Sequence, residues 1–395
     1  MLITIIVFFI MLSILVFVHE LGHFYTARRF GIRVDEFGLG IPPRAAGVRL
    51  EQSQPTGGLN GKKQWHWVWG NKKLEENKPT VYSINWLPIG GFVKIKGENG
   101  EGAGDSDSFA SKSISKRILV LASGVLMNLL LCMILLMIGY GIGMPTSGPK
   151  DAAAIAVTPV KIQIVELIDK LPAKDAGVKL GDVISKVDGQ EFQEIKDLQA
   201  YLSDKKDKEV SFDLLRGEEA VNKMIRAQEY QGITGVGIAL AETQVVRYPW
   251  YLAIWYGFKM TFVWLAFIFV ALFTVLKNLI LGVPVGLEVT GPVGIAVMTG
   301  EATRMGVSYL LQFVALISLN LAIINILPFP ALDGGRILFL LIEKVRGRAI
   351  KQKWENLAHN IGFILLMGLV LVVTYKDVIR YGGRIAGVFK KLIGM

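Results

Sequence analysis

The chain has 395 residues, of which 52% are hydrophobic and 19% are charged, and its net charge at pH 7 is +10. Soluble domains carry about 25% charged residues, so this composition favours a membrane protein with a soluble part. The basic residues do not form one patch, which argues against a nucleic-acid partner, and the single cysteine, Cys132, excludes a disulfide framework and a cysteine-based zinc site.

Four uncharged stretches are long enough to cross a bilayer of about 30 Å. They are 2–18, 118–144, 305–327 and 356–375. The first lacks a basic start and a cleavage site, so we expect a retained helix and not a signal peptide. A fifth candidate, 260–276, has 17 uncharged residues between two lysines and is rich in Trp and Phe. This composition favours the membrane surface.

The charges between these stretches predict an orientation. Segment 28–117 has 15 basic and 9 acidic residues, and segment 334–355 has 6 and 2, whereas segment 150–247 has 14 and 17. The positive-inside rule therefore places the first two in the cytoplasm and the third outside. The tail 376–395 is also basic, which conflicts with a four-span chain that ends outside.

The first apolar stretch runs into the sequence HELGH, which fits the H-E-x-x-H zinc-binding pattern. On a helix, His19 and His23 share one face and can hold a Zn²⁺ ion, with Glu20 beside it as a candidate general base. A chance match is disfavoured because ionisable residues in a membrane helix are costly and usually functional.

Zinc needs a third protein ligand, and the best candidate is Asp333 in NILPFPALDGGR. Pro328 and Pro330 interrupt the helix before it, and the two glycines after it permit close backbone approach. An Asp-Gly-Gly sequence on its own would indicate only a turn. Its position at the end of an apolar stretch favours a ligand.

The number of spans decides whether this ligand set can form. With four spans, Asp333 returns to the side of His19, and a crossing by 260–276 would place it on the opposite side. The other two histidines, His66 in QWHWVWG and His359 at the start of the last stretch, are expected to have ordinary structural roles.

Together these motifs resemble the site-2 protease family of intramembrane metalloproteases, in particular the bacterial regulator-of-sigma-E protease type. The resemblance covers most of the chain. It implies that His19, His23 and Asp333 are the zinc ligands and that Glu20 is the base. It also implies that Asn325 faces the substrate.

Three further segments carry the resemblance. YSINWLPIGGFVKIKGE is similar to the membrane-re-entrant β-loop of the family, and its Gly90 and Gly91 are candidate substrate-binding residues. FASKSISKRILVLASG, followed by Asn128, resembles the start of the second span, and IQIVELIDKLPAKDAGVKLGDVISKVDGQEF resembles a PDZ domain. The stretch 52–78 has no recognised family counterpart.

The predicted fold is a polytopic α-helical membrane protein with four transmembrane helices, a membrane-re-entrant β-loop and one extracytoplasmic PDZ domain of the α+β class. The predicted segments are a first transmembrane helix 1–30, a β-loop region 31–116, a second transmembrane helix 117–145, a PDZ domain 150–245, a membrane-surface region 248–304, a third transmembrane helix 305–333, a fourth transmembrane helix 356–376 and a basic tail 377–395.

The predicted function is that of an intramembrane zinc metalloendopeptidase in a bacterial cytoplasmic membrane. Its expected partners are the lipid bilayer and single-pass membrane proteins, such as anti-sigma factors or signal-peptide remnants. The PDZ domain is expected either to bind a peptide or substrate ectodomain or only to gate access. One alternative is an inactive PDZ scaffold, against which the intact Glu20 argues. The other is a metal transporter, which predicts more ionisable residues in the spans.

Overall fold

A computed structural model describes the chain except for residues 1, 53–62, 72–78, 101, 103, 147–152, 169–170, 218, 231–232, 283–289 and 394–395. Much of the stretch 52–78, which has no recognised family counterpart, thus lies outside the described residues. The helices are α1 Leu2–Arg29, α2 Ile114–Ile142, α3 Pro172–Asp175, α4 Ile195–Ser203, α5 Trp250–Ile280, α6 Pro292–Met305, α7 Val307–Ile326, α8 Asp333–Arg346 and α9 Gln352–Ile393. The strands are β1 Val34–Gln52, β2 Lys63–Trp69, β3 Val81–Ile95, β4 Met144–Thr146, β5 Ile155–Ala156, β6 Lys161–Leu167, β7 Val183–Val187, β8 Glu209–Arg216, β9 Glu219–Arg226, β10 Gln228–Tyr230, β11 Ile233–Gly235 and β12 Ile238–Arg247.

Within the described residues, five helices are long and apolar enough to cross a membrane, namely α1, α2, α5, α7 and α9. Their backbone groups are hydrogen-bonded within each helix, as a lipid environment requires. The chain is therefore a multi-pass membrane protein.

Two of these helices are longer than the sequence pattern predicts. The fifth candidate, 260–276, is the central part of α5, which has 31 residues and continues through Lys259 and Lys277. The predicted fourth span, 356–376, and the described part of the predicted tail, 377–395, lie in one helix, since α9 runs from Gln352 to Ile393 over 42 residues. The four-span topology stays a prediction.

The chain divides into two compact units. The first comprises residues 1–133, 261–300 and 314–395, and the second comprises 134–260 and 301–313.

In the first unit, α1, α2, α8 and the β1–β3 sheet share one apolar cluster. Its buried members are Ala27, Ile32, Val34, Ile95, Phe109, Val120, Leu121 and Leu340. The cluster lies at the end of α1 that follows the histidine motif. It thus brings the start of α2 and the body of α8 to that motif.

The three strands of the first unit are ordered β2-β1-β3. On one face of this sheet the Arg44 guanidinium is buried and makes two hydrogen bonds to Glu36, from Nε at 2.7 Å and from Nη2 at 2.6 Å. Ser83 and Asn85 are buried on the same sheet. The neighbouring side chains on β3, Tyr82 and Ile84, are exposed. In this part of the sheet, one face carries buried polar side chains and the other carries exposed apolar ones.

The second unit contains a sheet in the order β4-β12-β6-β7-β8-β9. The helix α4 turns its apolar side to the core of this unit, since Leu198 and Leu202 are buried and Ile195 packs against the same core. Asp188 and Gly189 form a turn after β7, and both residues have positive φ angles, 49° and 80°. An isolated bridge joins Val187 to Gln190 across this turn.

Candidate active site

The histidine motif lies on α1, where the spacing of four residues places both rings on one side of the helix. His19 and His23 are 7% and 6% exposed. Their rings meet edge to face, with centroids 4.8 Å apart, and their Nε2 atoms are 3.2 Å apart. Two ring nitrogens therefore point into one buried space.

Asp333 joins this space as the first residue of α8. Its Oδ2 atom lies 3.1 Å from Nε2 of His19 and 3.4 Å from Nε2 of His23. This buried oxygen forms no hydrogen bond of acceptable geometry with any described residue, although both rings are close. This arrangement is expected when the lone pairs of the two Nε2 atoms and of Oδ2 all point to one position between them.

The donor set fits a zinc ion. With ligand bonds of about 2.0–2.2 Å, the donors of a tetrahedral zinc site are separated by about 3.3–3.6 Å. The three donor–donor distances here, 3.2, 3.1 and 3.4 Å, are within about 0.2 Å of this range. Among the described residues these are the side chains grouped closely enough to hold a metal, and three ligands leave a fourth position for water or substrate.

The second nitrogen of each ring faces a partner on α2. Nδ1 of His23 lies 2.8 Å from the carbonyl oxygen of Val120 and donates to it, which leaves Nε2 free to bind a metal. Nδ1 of His19 lies 3.3 Å from the side-chain amide of Asn128. Asn128 is buried and its Oδ1 has no partner among the described residues, so rotating the amide lets Oδ1 accept from His19.

Two glycines allow α1 and α2 to approach closely enough for these contacts. A Cβ atom on Gly22 would lie 2.4 Å from the carbonyl oxygen of Ser123, and one on Gly124 would lie 2.7 Å from Cε1 of His19. Sequence reasoning missed this role and that of Asn128. The signal that could have revealed both roles is the ASG…N pattern in α2. In the sequence this pattern is recognisable only through the family resemblance.

The loop before Asp333 is held by close backbone contacts and by a histidine. A Cβ atom on Gly334 would lie 2.2 Å from the carbonyl oxygen of Ile326, and one on Gly335 would lie 2.3 Å from that of Phe329. The backbone N–H of Ala331 donates to Nδ1 of His359 at 2.9 Å. His359 therefore supports the loop from α9, in keeping with the structural role predicted for it.

The remaining predicted site residues lie outside the donor cluster. Asn325 is in the last turn of α7 and is half-buried. Gly90 and Gly91 are buried against α1, where added Cβ atoms would lie 3.0 Å from Val16 and 3.3 Å from Cα of Phe17. Their substrate-binding roles stay predictions.

The family model described as peptidase family M50 matches residues 7–55 and 70–369. The chain belongs to peptidase family M50. This peptidase is 33% identical to a protein of Clostridium perfringens provisionally named a zinc metalloprotease, over 93% of this chain and 96% of the relative. It is 29% identical to the regulator of sigma-W protease RasP of Bacillus subtilis, over 95% and 98%.

Among solved structures, the peptidase is similar to the PDZ domain of an SdrC-like protein from Listeria monocytogenes. The identity is 26%, the match covers 22% of this chain and 93% of that chain, and the TM-score is 0.20.

Family membership makes the protein a zinc metalloprotease of the site-2 protease type, with Zn²⁺ as its cofactor. The relatives are named as proteases. The alternative of an inactive scaffold is therefore not favoured.

Proposed function

We propose that His19, His23 and Asp333 hold the catalytic zinc and that Glu20 is the general base for hydrolysis of peptide bonds in transmembrane segments. The observation that carries this proposal is the set of three donor–donor distances, 3.1, 3.2 and 3.4 Å. Glu20 lies within electrostatic range of all three donors.

Each residue then has a defined task. When bound, the zinc ion supplies Lewis-acid chemistry, which makes a water more acidic and polarises a carbonyl group. The Glu20 carboxylate takes a proton from the attacking water and returns it to the leaving amine. Val120 and Asn128 keep both rings in the tautomer that presents Nε2. Asn325 would donate to the substrate carbonyl oxygen or backbone.

The proposed substrates are single-pass membrane proteins of the anti-sigma-factor or signal-peptide-remnant type. The name of the B. subtilis relative, regulator of sigma-W protease, supports the first of these. A substrate helix must unwind before cleavage, because its peptide groups are engaged in helical hydrogen bonds. We propose that the strand containing Gly90 and Gly91 offers hydrogen-bonding groups to the unwound chain, since lipid offers none.

The proposed location is a bacterial cytoplasmic membrane, with the site near the cytoplasmic face and a PDZ domain outside. Segment 334–355, with 6 basic and 2 acidic residues, supports this orientation. A four-span topology returns Asp333 to the side of His19. The PDZ domain would bind a peptide or substrate ectodomain by strand addition, or gate access.

The test is cleavage of a single-pass substrate by the full chain reconstituted in liposomes, with zinc content measured for wild type and Glu20→Gln. We expect the variant to keep about one zinc per chain and to lose cleavage. If neither protein holds zinc, the ligand assignment is wrong. If both bind zinc and both cleave, Glu20 is not the base.

A further inference from the structure

The strand β2 carries three tryptophans at alternate positions. Trp65, Trp67 and Trp69 are 62%, 65% and 64% exposed. Because side chains alternate along a strand, the three indoles share one face. The rings of Trp67 and Trp69 are stacked, with centroids 5.6 Å apart.

The pairing of the strands extends this apolar surface across the sheet. Trp67 is opposite Val48, and Val48 is opposite Tyr82. In the next row, Trp69 is opposite Ala46, which is opposite Ile84. Directly paired residues lie on the same face of a sheet. We call this surface the tryptophan face: Ala46, Val48, Trp65, Trp67, Trp69, Tyr82, Ile84 and Trp86.

The opposite face carries the charged side chains of this part of the sheet, which is the reverse of a sheet that covers a soluble core. On β1 and β2 it carries Arg49, Glu51 and His66, with His66 3.7 Å from Glu51. Trp86 on the tryptophan face is 71% exposed and Ile84 is 63% exposed. An apolar face of this extent beside water would be an aggregation hazard, so we expect it to be covered.

The contacts with α1 give the depth of this face in the membrane. Arg28, in the last turn of α1, donates to the hydroxyl of Tyr82 at 3.1 Å. Ser13, in the middle of the same helix, donates to the carbonyl oxygen of Pro88 at 3.2 Å. The helical distance from residue 13 to residue 28 is about 22 Å, and six strand residues span about 20 Å. The strand therefore runs alongside the span.

The row of Tyr82 and Trp67 is accordingly level with the end of the α1 span. Trp69, two residues along β2, lies about 7 Å deeper, and Trp65 lies about 7 Å shallower. Indole rings combine a large apolar surface with an N–H donor and are enriched at membrane–water interfaces.

We propose that the tryptophan face binds the interfacial zone of the lipid bilayer. The family model passes over residues 56–69, so β2 is an addition of this chain to the family pattern. Continuity with α1, which is itself a lipid-facing span, favours lipid over a protein partner. The added strand fixes the depth of the sheet.

The depth of each position can be measured by spin labelling of the full chain. Cys132 is the only cysteine, so Cys132→Ala gives a background for single cysteines at Trp65, Trp67 and Trp69. His66→Cys is the matched control on the opposite face. Each labelled protein is reconstituted in phosphatidylcholine–phosphatidylglycerol liposomes, and nitroxide collision rates with oxygen and with an aqueous nickel chelate are compared.

We expect an oxygen-to-nickel ratio several-fold higher at Trp67→Cys than at His66→Cys, rising from position 65 to 67 to 69. Equal ratios at 66 and 67 would overturn the proposal. Protection of position 67 from both reagents would also overturn it, because it would show that protein covers the face. Zinc content and elution volume identify variants that do not fold. If a cysteine variant does not fold, a second measurement replaces it, in which brominated lipids quench the tryptophan fluorescence of the chain that keeps Cys132. Trp67→Thr should reduce this quenching, and His66→Thr should not.

Discussion

Gly124 lies against the imidazole of His23, so closely that a Cβ atom at this position would be 2.5 Å from Nε2. Real side chains do not approach at this distance, and the neighbouring ring is held by Val120 at 2.8 Å. The ring of His23 can therefore occupy this position only because residue 124 has no side chain.

Gly124→Ala should therefore lose zinc and cleavage, because the methyl group must displace the ring or separate α1 from α2. Gly141→Ala is the matched control on the same helix, since its Cβ would lie 3.9 Å from that of Ala253. Zinc content and substrate cleavage are measured for both. Full zinc content in Gly124→Ala would show that the close approach is dispensable.

Asn128→Leu should lower zinc affinity by about 10- to 100-fold, the usual effect of losing an outer hydrogen-bond partner of a ligating histidine. Asn128→Asp keeps an oxygen acceptor for Nδ1 of His19 and should retain most of the affinity. Competition with a zinc chelator measures both. Equal affinities in the two variants would contradict an orienting role for the amide.

Gly335→Ala should destabilise the loop that presents Asp333, because its Cβ would lie 2.3 Å from the carbonyl oxygen of Phe329. We expect a lower zinc content and a lower unfolding temperature in detergent. Gly368→Ala, where a Cβ would meet nothing within 4 Å, should change neither. A normal zinc content in Gly335→Ala would mean that the loop can move without losing the ligand.

Removing one partner of the buried pair Glu36–Arg44 should cost about 3–5 kcal/mol, because an uncompensated charge remains buried. Glu36→Leu and Arg44→Met test this separately, and the double variant should recover much of the loss. Thermal unfolding of the full chain measures all three. If the loss in the double variant equals the sum of the losses in the single variants, the two groups are not coupled.

Acid should weaken the second unit through Asp188. Partial burial opposes ionisation, but hydrogen bonds from the Ser211 N–H, Tyr201 and Lys205 hold the pKa of Asp188 below its usual range. A lowered pKa stabilises the fold above the unfolded value of about 3.9, and this contribution is lost as pH falls through the folded pKa. Asp188→Asn should lower the stability of the second unit at neutral pH and make that stability depend less on pH in acid. Resistance of the full chain to proteolysis at a series of pH values measures both. Asp197→Asn, at an exposed position of α4, is the matched control.

The sequence predicts local features better than contacts between helices. The spacing of His19 and His23 is sufficient to place both rings on one face, and the structure also brings Asp333 to them. Nothing in the spacing predicts the contact between His23 and Val120, because it joins residues 97 positions apart. The tryptophan face likewise depends on the register of β2 against β1, and the residues of β2 alone do not determine that register.

Asp333 comes late in the chain, at the start of α8, whereas both histidines lie in the first helix. During synthesis the histidines enter the membrane long before the aspartate is made. Until then the proposed site offers two imidazole nitrogens, which hold zinc more weakly than the complete set of three ligands. A growing chain that does not yet contain Asp333 is therefore expected to be inert.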